Sequence, residues 1–342
     1  MARRGPPGLS EMRSLAITLP QQFADGYRAG RELDAPLPSG RRHAVVAGMG
    51  GSAIASDLLR VLTDAETSLI LETCRSPRLP KSLDASALAV LVSYSGDTWE
   101  TLGAYEEARR RRSAMVAVSS GGELAARAIR DGLPHLMLPP GMPPRAAVGY
   151  VLGGLLGLFD PLFPESNEER VGRTVEASRL LQAKYVESNG PPAHAARRIG
   201  ARLPHFIACS PLAPLALRWA TQVEENAKRL ATSGQYPEAF HNDVVGWDAL
   251  QRTEARRHAA VFIDWGKPGA AVERALGHLA RLIGARGASV ARVALPGDDA
   301  MEALVAGITF GDHLSLFLAE AAGVDPYGIA SITRLKRAAA GA

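Results

Sequence analysis

The sequence predicts an α/β protein built as two tandem, doubly wound parallel sheets with helices at both termini. Three observations lead there. Short apolar runs recur between long helical stretches, the alternation that a parallel sheet with crossover helices requires. Two of these runs end in turns rich in glycine and hydroxyls that open a helix, Gly48-Met49-Gly50-Gly51-Ser52 and Ser93-Tyr94-Ser95-Gly96-Asp97-Thr98. A strong turn, Asn189-Gly190-Pro191-Pro192, then divides the 342 residues into two stretches, each long enough for one domain.

In chain order, residues 9–31 read as helix, broken near Pro20 and packed outside the first domain. Strands are expected at 43–47, 67–72, 89–92, 114–119 and 135–138, with helices between them. The run from Pro139 to Pro144 is an abrupt break that holds Arg145 on a rigid turn ahead of an apolar helix, 146–159. The second series has strands at 204–209, 259–264 and 289–294 and helices at 212–230, 270–286 and 299–323, with a last helix over 328–339. The expected division is an N-terminal helical extension (1–39), a first sheet domain (40–190), a second (191–327) and a C-terminal helix (328–342).

Composition narrows the function classes. With 46% hydrophobic and 22% charged residues there is apolar material for two cores. A net charge of +4 is too mild for an electrostatic footprint on nucleic acid. The densest basic run, Arg109 to Arg112, follows Glu106-Glu107 on a predicted helix, where Glu–Arg pairs along a solvated face account for it. No aromatic interleaving supports base stacking, and no nucleic-acid partner is expected. Cys74 and Cys209 lack metal-ligand spacing, so no metal is expected and a reducing compartment is. The apolar stretch 146–159 is too short to span a membrane. Met1-Ala2-Arg3-Arg4 leads into no apolar run, and a cytoplasmic location without membrane attachment is expected.

The two turns carry the chemistry. A turn that leaves a buried strand and opens a helix presents unpaired N–H groups at the positive end of the helix dipole. Around Gly51, the hydroxyls of Ser52, Ser93, Ser95 and Thr98 add donors without bulk, a combination that suits a phosphate monoester. Two other readings stand beside it. Thr98 can be an ordinary helix N-cap. Gly48, Gly50 and Ala53, with Glu72 at the end of the next apolar run, fit a dinucleotide fingerprint. Ser52 inside the first turn and the whole second turn favour a sugar phosphate, because a dinucleotide site needs neither.

Taken in order, the two turns resemble the sugar isomerase (SIS) domain. Glu224-Glu225-Asn226-Ala227-Lys228, then Pro237-Glu238-Ala239-Phe240-His241-Asn242-Asp243, then Val245-Gly246-Trp247 narrow the resemblance to the bifunctional phosphoglucose/phosphomannose isomerases of archaea and some bacteria. It runs from about residue 40 to the C-terminus. The resemblance implies tandem SIS domains and an aldose–ketose isomerase that interconverts glucose 6-phosphate and mannose 6-phosphate with fructose 6-phosphate through a cis-enediol, without metal or organic cofactor. Such a reaction needs a base, a cation near the developing oxyanion and an acid/base pair to open the sugar ring.

Glu225 falls where the family keeps its proton-transfer base; the residues alone favour a surface glutamate paired with Lys228, three residues on. Glu224 points about 100° away on the helix, so one of the two is expected to face the pocket. His241 falls on the ring-opening histidine, with Lys336 as partner; the plain alternatives are a surface-loop histidine and a basic helix end favoured by the dipole. In the family that histidine comes from the other subunit, which implies a homodimer with active sites at the subunit interface. Arg145 matches the cation that stabilises the enediolate, or otherwise caps nearby carbonyls. A second function class is a non-catalytic SIS sensor of sugar phosphates, although about forty residues before the first strand are too few for a DNA-binding domain and linker. A third is an NAD-binding oxidoreductase.

Overall fold

The computed structural model describes residues 5–37 and 43–339. In chain order these form α1 (Leu9–Ile17), α2 (Leu19–Arg31), β1 (His43–Gly48), α3 (Gly51–Glu66), β2 (Ile70–Cys74), β3 (Leu88–Val92), α4 (Trp99–Arg111), β4 (Ala114–Ser119), α5 (Gly122–Arg130), β5 (His135–Met137), α6 (Val148–Phe159) and α7 (Glu168–Tyr185). Then follow α8 (Pro191–Ile199), β6 (Leu203–Cys209), α9 (Ala213–Ala227), β7 (Thr232–Tyr236), α10 (Asp243–Ala249), α11 (Arg252–Ala255), β8 (His258–Trp265), α12 (Ala270–Arg286), β9 (Ser289–Leu295), α13 (Ala300–Ala322) and α14 (Ala330–Ala339).

The chain divides into two compact units. One comprises Thr18–Leu180 and Gly297–Val305. The other comprises α1, Leu181–Pro296 and the chain from Ala306 on. This division differs from the expected one in two ways. The cut falls within α7, before the Asn189-Gly190 turn. The N-terminal residues also form no extension of their own, since α1 goes with one unit and α2 with the other. The expected boundary at residues 39 and 40 lies outside the described residues.

The first unit holds a five-stranded parallel sheet in the order β2-β1-β3-β4-β5. Its three central strands β1, β3 and β4 are almost wholly buried, β3 at every position, as a sheet covered on both faces requires, while the edge strands β2 and β5 are partly exposed. The expected strand at 67–72 begins later, at Ile70, because Thr67 ends α3 instead. The Thr67 hydroxyl donates to the Thr63 carbonyl at 2.8 Å and accepts from the Leu69 N–H at 3.1 Å. The helices α2 and α6 pack backbone to backbone. A Cβ on Gly30, Gly153 or Gly157 would land on the carbonyl oxygen of Gly154, Phe23 or Tyr27, and one on Gly26 would press on that of Tyr150. The apolar run 146–159 is thus a buried helix, as expected, and its glycines are what let α2 approach.

The second unit holds a four-stranded parallel sheet, β7-β6-β8-β9. The strand β7 was not expected. The predicted helix 212–230 ends early, at Ala227, where Lys228 turns into the left-handed region at φ 54°. The long helix α13 has a stretch apolar enough to cross a membrane by composition, but 89% of that stretch is buried inside the fold, the mark of a core helix.

Candidate active site

The strand order 2-1-3-4-5 places a topological switch point between β1 and β3, whose following helices leave in different directions. Gly48 pairs with Val92 in the register of these strands, so the two hydroxyl-rich turns leave the sheet side by side. Gly48 allows this closeness, since a Cβ there would stand 2.9 Å from the Val92 carbonyl oxygen. Gly50 caps α3 at φ 52°, a conformation open to glycine, and Ser52 is buried in the first turn of that helix.

The second turn is organised by its own hydroxyls. Ser93 is buried; its oxygen donates to Thr98 Oγ1 at 2.9 Å and accepts from the Gly96 N–H at 3.1 Å. Ser95 accepts from the Asp97 N–H at 3.3 Å. Thr98 stands at the N-cap of α4 but makes no side-chain capping bond to that helix. The ordinary-cap reading therefore does not describe it, and the first-turn N–H groups of α4 are left to other acceptors. Gly96, at φ 78°, packs against the backbone of Gly121, which pins the turn from its far side.

Arg145 is brought to the same place. It is 2% exposed, on a 3₁₀ turn over Pro144–Ala147, and its backbone lies against the first turn: a Cβ on Gly51 would be 3.3 Å from Arg145 Cα. One unit thus gathers Gly51, Ser52, Ser93, Ser95, Thr98 and the backbone of the buried Arg145 at the strand ends. Glu72, the acid of the dinucleotide reading, is otherwise engaged. It accepts from the Ser82 hydroxyl at 3.2 Å and stands 3.5 Å from His43 Nε2.

The remaining predicted residues belong to the other unit. Ala220, Val223 and Ala227 are buried as expected. Asn226 is buried too, its amide donating to Ser315 Oγ at 2.8 Å, so the last turn of α9 is fixed in rotation against α13. Glu224 and Glu225 are left half-buried. Both line one cavity of about 680 Å³, with Lys228, Leu230, Ile329 and Ile332. One of the two glutamates was expected at the pocket, and both are on its lining.

Lys228 has a structural part as well. Its ammonium donates to the backbone carbonyls of Glu225 and Gly328, each at 2.5 Å, tying the end of α9 to the chain leading into α14. Lys336 lies on α14, exposed. Ile332, one turn earlier, lines the cavity, and residues four apart share a helix face. Arg334, 200° round from Ile332, lies on another face; Lys336 itself is not among the residues that line the cavity.

His241 is exposed, at the end of a 3₁₀ turn over Glu238–Phe240, and is not among the residues that line the Glu225 cavity. Neighbours that the sequence did not single out secure its loop. The His205 ring stands 2.8 Å from Asp243 Oδ2 through Nε2 and 2.7 Å from Thr232 Oγ1 through Nδ1. The only trace of this in the sequence is Asp243, two residues beyond His241.

A family model described as the bacterial phospho-glucose isomerase C-terminal SIS domain matches residues 189–338. The bifunctional phosphoglucose/phosphomannose isomerase of Thermoplasma volcanium is 30% identical over 297 residues, 86% of this chain and 90% of that one. The protein of the same name from Caldicellulosiruptor bescii is 29% identical over 337 residues, covering 93% and 96%. A hypothetical protein of Thermus thermophilus superposes with a TM-score of 0.74 at 16% identity over 99% of this chain and 92% of its own, a likeness of fold. The order of strands, the paired hydroxyl turns and these relatives lead to one assignment: the chain belongs to the bifunctional phosphoglucose/phosphomannose isomerase family, enzymes of the isomerase type.

Proposed function

We propose that this chain interconverts glucose 6-phosphate, and mannose 6-phosphate, with fructose 6-phosphate through a cis-enediol, on tandem SIS domains and without metal or organic cofactor. The observation that carries the reading is the crevice at the ends of β1 and β3, where two hydroxyl turns and the Arg145 segment converge. Gly51, Ser52, Ser93, Ser95 and Thr98 hold the phosphate through hydroxyls and helix N-terminal N–H groups. His241 and Lys336 open the sugar ring. Glu225 then takes the proton from the carbon beside the carbonyl and returns it to the neighbouring carbon. Arg145 stabilises the negative charge that develops on the enediolate oxygen. Because the enediol is planar at C2, protonation on one face yields the glucose configuration and on the other the mannose configuration.

The protein acts in the cytoplasm as a homodimer, on this reading, with His241 serving the site of a second copy. Its exposure and its absence from the Glu225 cavity support that. The test is a coupled assay on fructose 6-phosphate with a chelator present. Formation of glucose 6-phosphate is the expected result. Tight binding without turnover points to a sensor instead, and an NAD-dependent absorbance change to an oxidoreductase.

A further inference from the structure

We propose that His205 is a positioning residue for His241: through Asp243 it latches the start of α10 to the edge of the second sheet and so sets where the His241 imidazole stands. The proposal rests on the ring-opening role given to His241 above. His241 lies between two short elements with little apolar anchoring. The 3₁₀ turn before it buries only Ala239, and α10 after it buries only Trp247. Val245 on the same helix is 67% exposed. A segment with so few buried contacts is held by its polar ones.

Arg286 reaches Asp248 at the far end of α10, and the contacts at its start, next to His241, centre on His205. Its Nε2 meets Asp243 Oδ2 at 2.8 Å, its Nδ1 meets the Thr232 hydroxyl at 2.7 Å, and its ring centroid lies 6.2 Å from that of Trp247. With a proton on Nε2 donated to Asp243, Nδ1 accepts from Thr232, and one neutral ring satisfies both partners. The latch thus joins β6, β7 and α10. Gly234, in the middle of β7, lies beneath it. A Cβ there would stand 3.2 Å from Asp243 Oδ2 and 3.3 Å from His205 Nε2. Glycine weakens a strand interior and marks places where other groups approach closely; here the group that approaches is the His–Asp pair. Asp243 is two residues from His241, and its amide is bound by the Asn242 side chain at 2.6 Å, so the latch acts on the backbone that carries the imidazole.

An acid/base group must stand within hydrogen-bond reach of the proton it moves, and a misplacement of about 1 Å costs on the order of 100-fold. The experiment compares fructose 6-phosphate with 5-deoxyfructose 6-phosphate, which lacks the hydroxyl that closes the furanose and therefore needs no ring opening. His205→Ala is expected to lower kcat on fructose 6-phosphate by about 10- to 100-fold with KM unchanged, and to leave turnover of the open-chain substrate intact. Asp243→Ala should do the same, whereas Asp243→Asn, which keeps an acceptor oxygen, should recover most of the rate. Equal loss on both substrates would make His205 a merely structural residue and overturn the proposal, as would an undiminished rate on fructose 6-phosphate. His241→Ala separates this from the underlying reading. If that variant opens and isomerises fructose 6-phosphate normally, the role of His241 falls and the latch with it. If it is crippled while His205→Ala is normal, only the latch falls.

Discussion

The two sheets place different chemistry at the same topological position. In each, the first strand sits beside the third, β1 beside β3 and β6 beside β8. The chain leaving β1 runs through glycines into Ser52 and offers N–H groups. The chain leaving β6 runs through Pro211 and into α9 with Pro214 in its first turn, and prolines have no N–H to offer. The end of β3 carries Ser93, Ser95 and Thr98. The end of β8 carries Asp264, 3% exposed, whose carboxylate accepts from the Tyr236 hydroxyl and from Arg292. Arg292 also forks onto Glu273 at 2.6 and 2.7 Å. Burial, and the bond to Asp264, push the Tyr236 hydroxyl well above the usual tyrosine range. The strand ends of the first sheet carry hydroxyls and helix N-termini; at those of the second the protein's own carboxylate takes the neighbouring donors. The strand order around the first strand recurs, and the side chains at the strand ends do not.

That contrast can be broken by experiment. The unit with the second sheet is assigned the chemistry, so the largest effect is expected at Glu225. Glu225→Gln keeps the packing and removes the proton acceptor; kcat should fall by about 10²- to 10⁴-fold with KM near wild type, and solvent-proton exchange at C2 should vanish with it. Glu224→Gln should be close to neutral. If the two variants exchange phenotypes, the base is Glu224. Next in size is Asp264→Ala, which strands the Tyr236 hydroxyl and removes one partner of Arg292. A loss of about 2–4 kcal/mol in urea unfolding is expected, with KM for fructose 6-phosphate unaltered. A raised KM would mean that the second crevice binds substrate after all.

A smaller effect of similar origin belongs to His313. It is 2% exposed, 2.6 Å from Gln182 Oε1, and burial, with help from the Arg13 charge, lowers its pKa to about 4. The unfolded chain binds a proton there near pH 6.5 and the folded chain does not. Stability should therefore be intact above about pH 6.5 and fall as pH drops toward 4, by about 3 kcal/mol at most. Chemical denaturation of His313→Gln across that range should show a flatter profile; an unchanged slope would place the pH dependence elsewhere. The smallest expected change is at the first crevice. Ser95→Ala should raise KM about tenfold, the value of one hydrogen bond to a charged group, with kcat retained. An unchanged KM in both Ser93→Ala and Ser95→Ala would remove these turns from the phosphate site.

The first crevice was legible because its signals are local: an apolar run, glycines, then hydroxyls at a helix start. The prolines before Arg145 likewise announced a turn. The strand β7 was hidden by its own surroundings. Thr232-Ser233-Gly234-Gln235 is polar because an edge strand is solvated, and only Tyr236 of its five residues is buried. The position of Gly234 reflects a side-chain pair drawn from β6 and α10, which no local pattern encodes. Physical reading alone gave Glu225 no more than a half-buried helical position, and its assignment came from the family motif. The break near Pro20 was visible as well. It falls at Thr18, with Pro20 inside the first turn of α2, where proline is tolerated. Which core each of the two N-terminal helices would join depends on packing far along the chain.

The glycine contact between α2 and α6 bears on how this protein can be altered. Exchanging glycine for alanine inside a helix is a common route to a more heat-resistant protein, worth about 1 kcal/mol at each site. At Gly26, Gly30, Gly153 and Gly157 that route is closed, because the added methyl would occupy the space of a neighbouring carbonyl oxygen. Drift toward the commoner helix former is barred there by a partner more than a hundred residues away in the chain. Two glycines four apart on one helix, answered by two four apart on another, form a spacing by which the same packing could be sought in distant sequences.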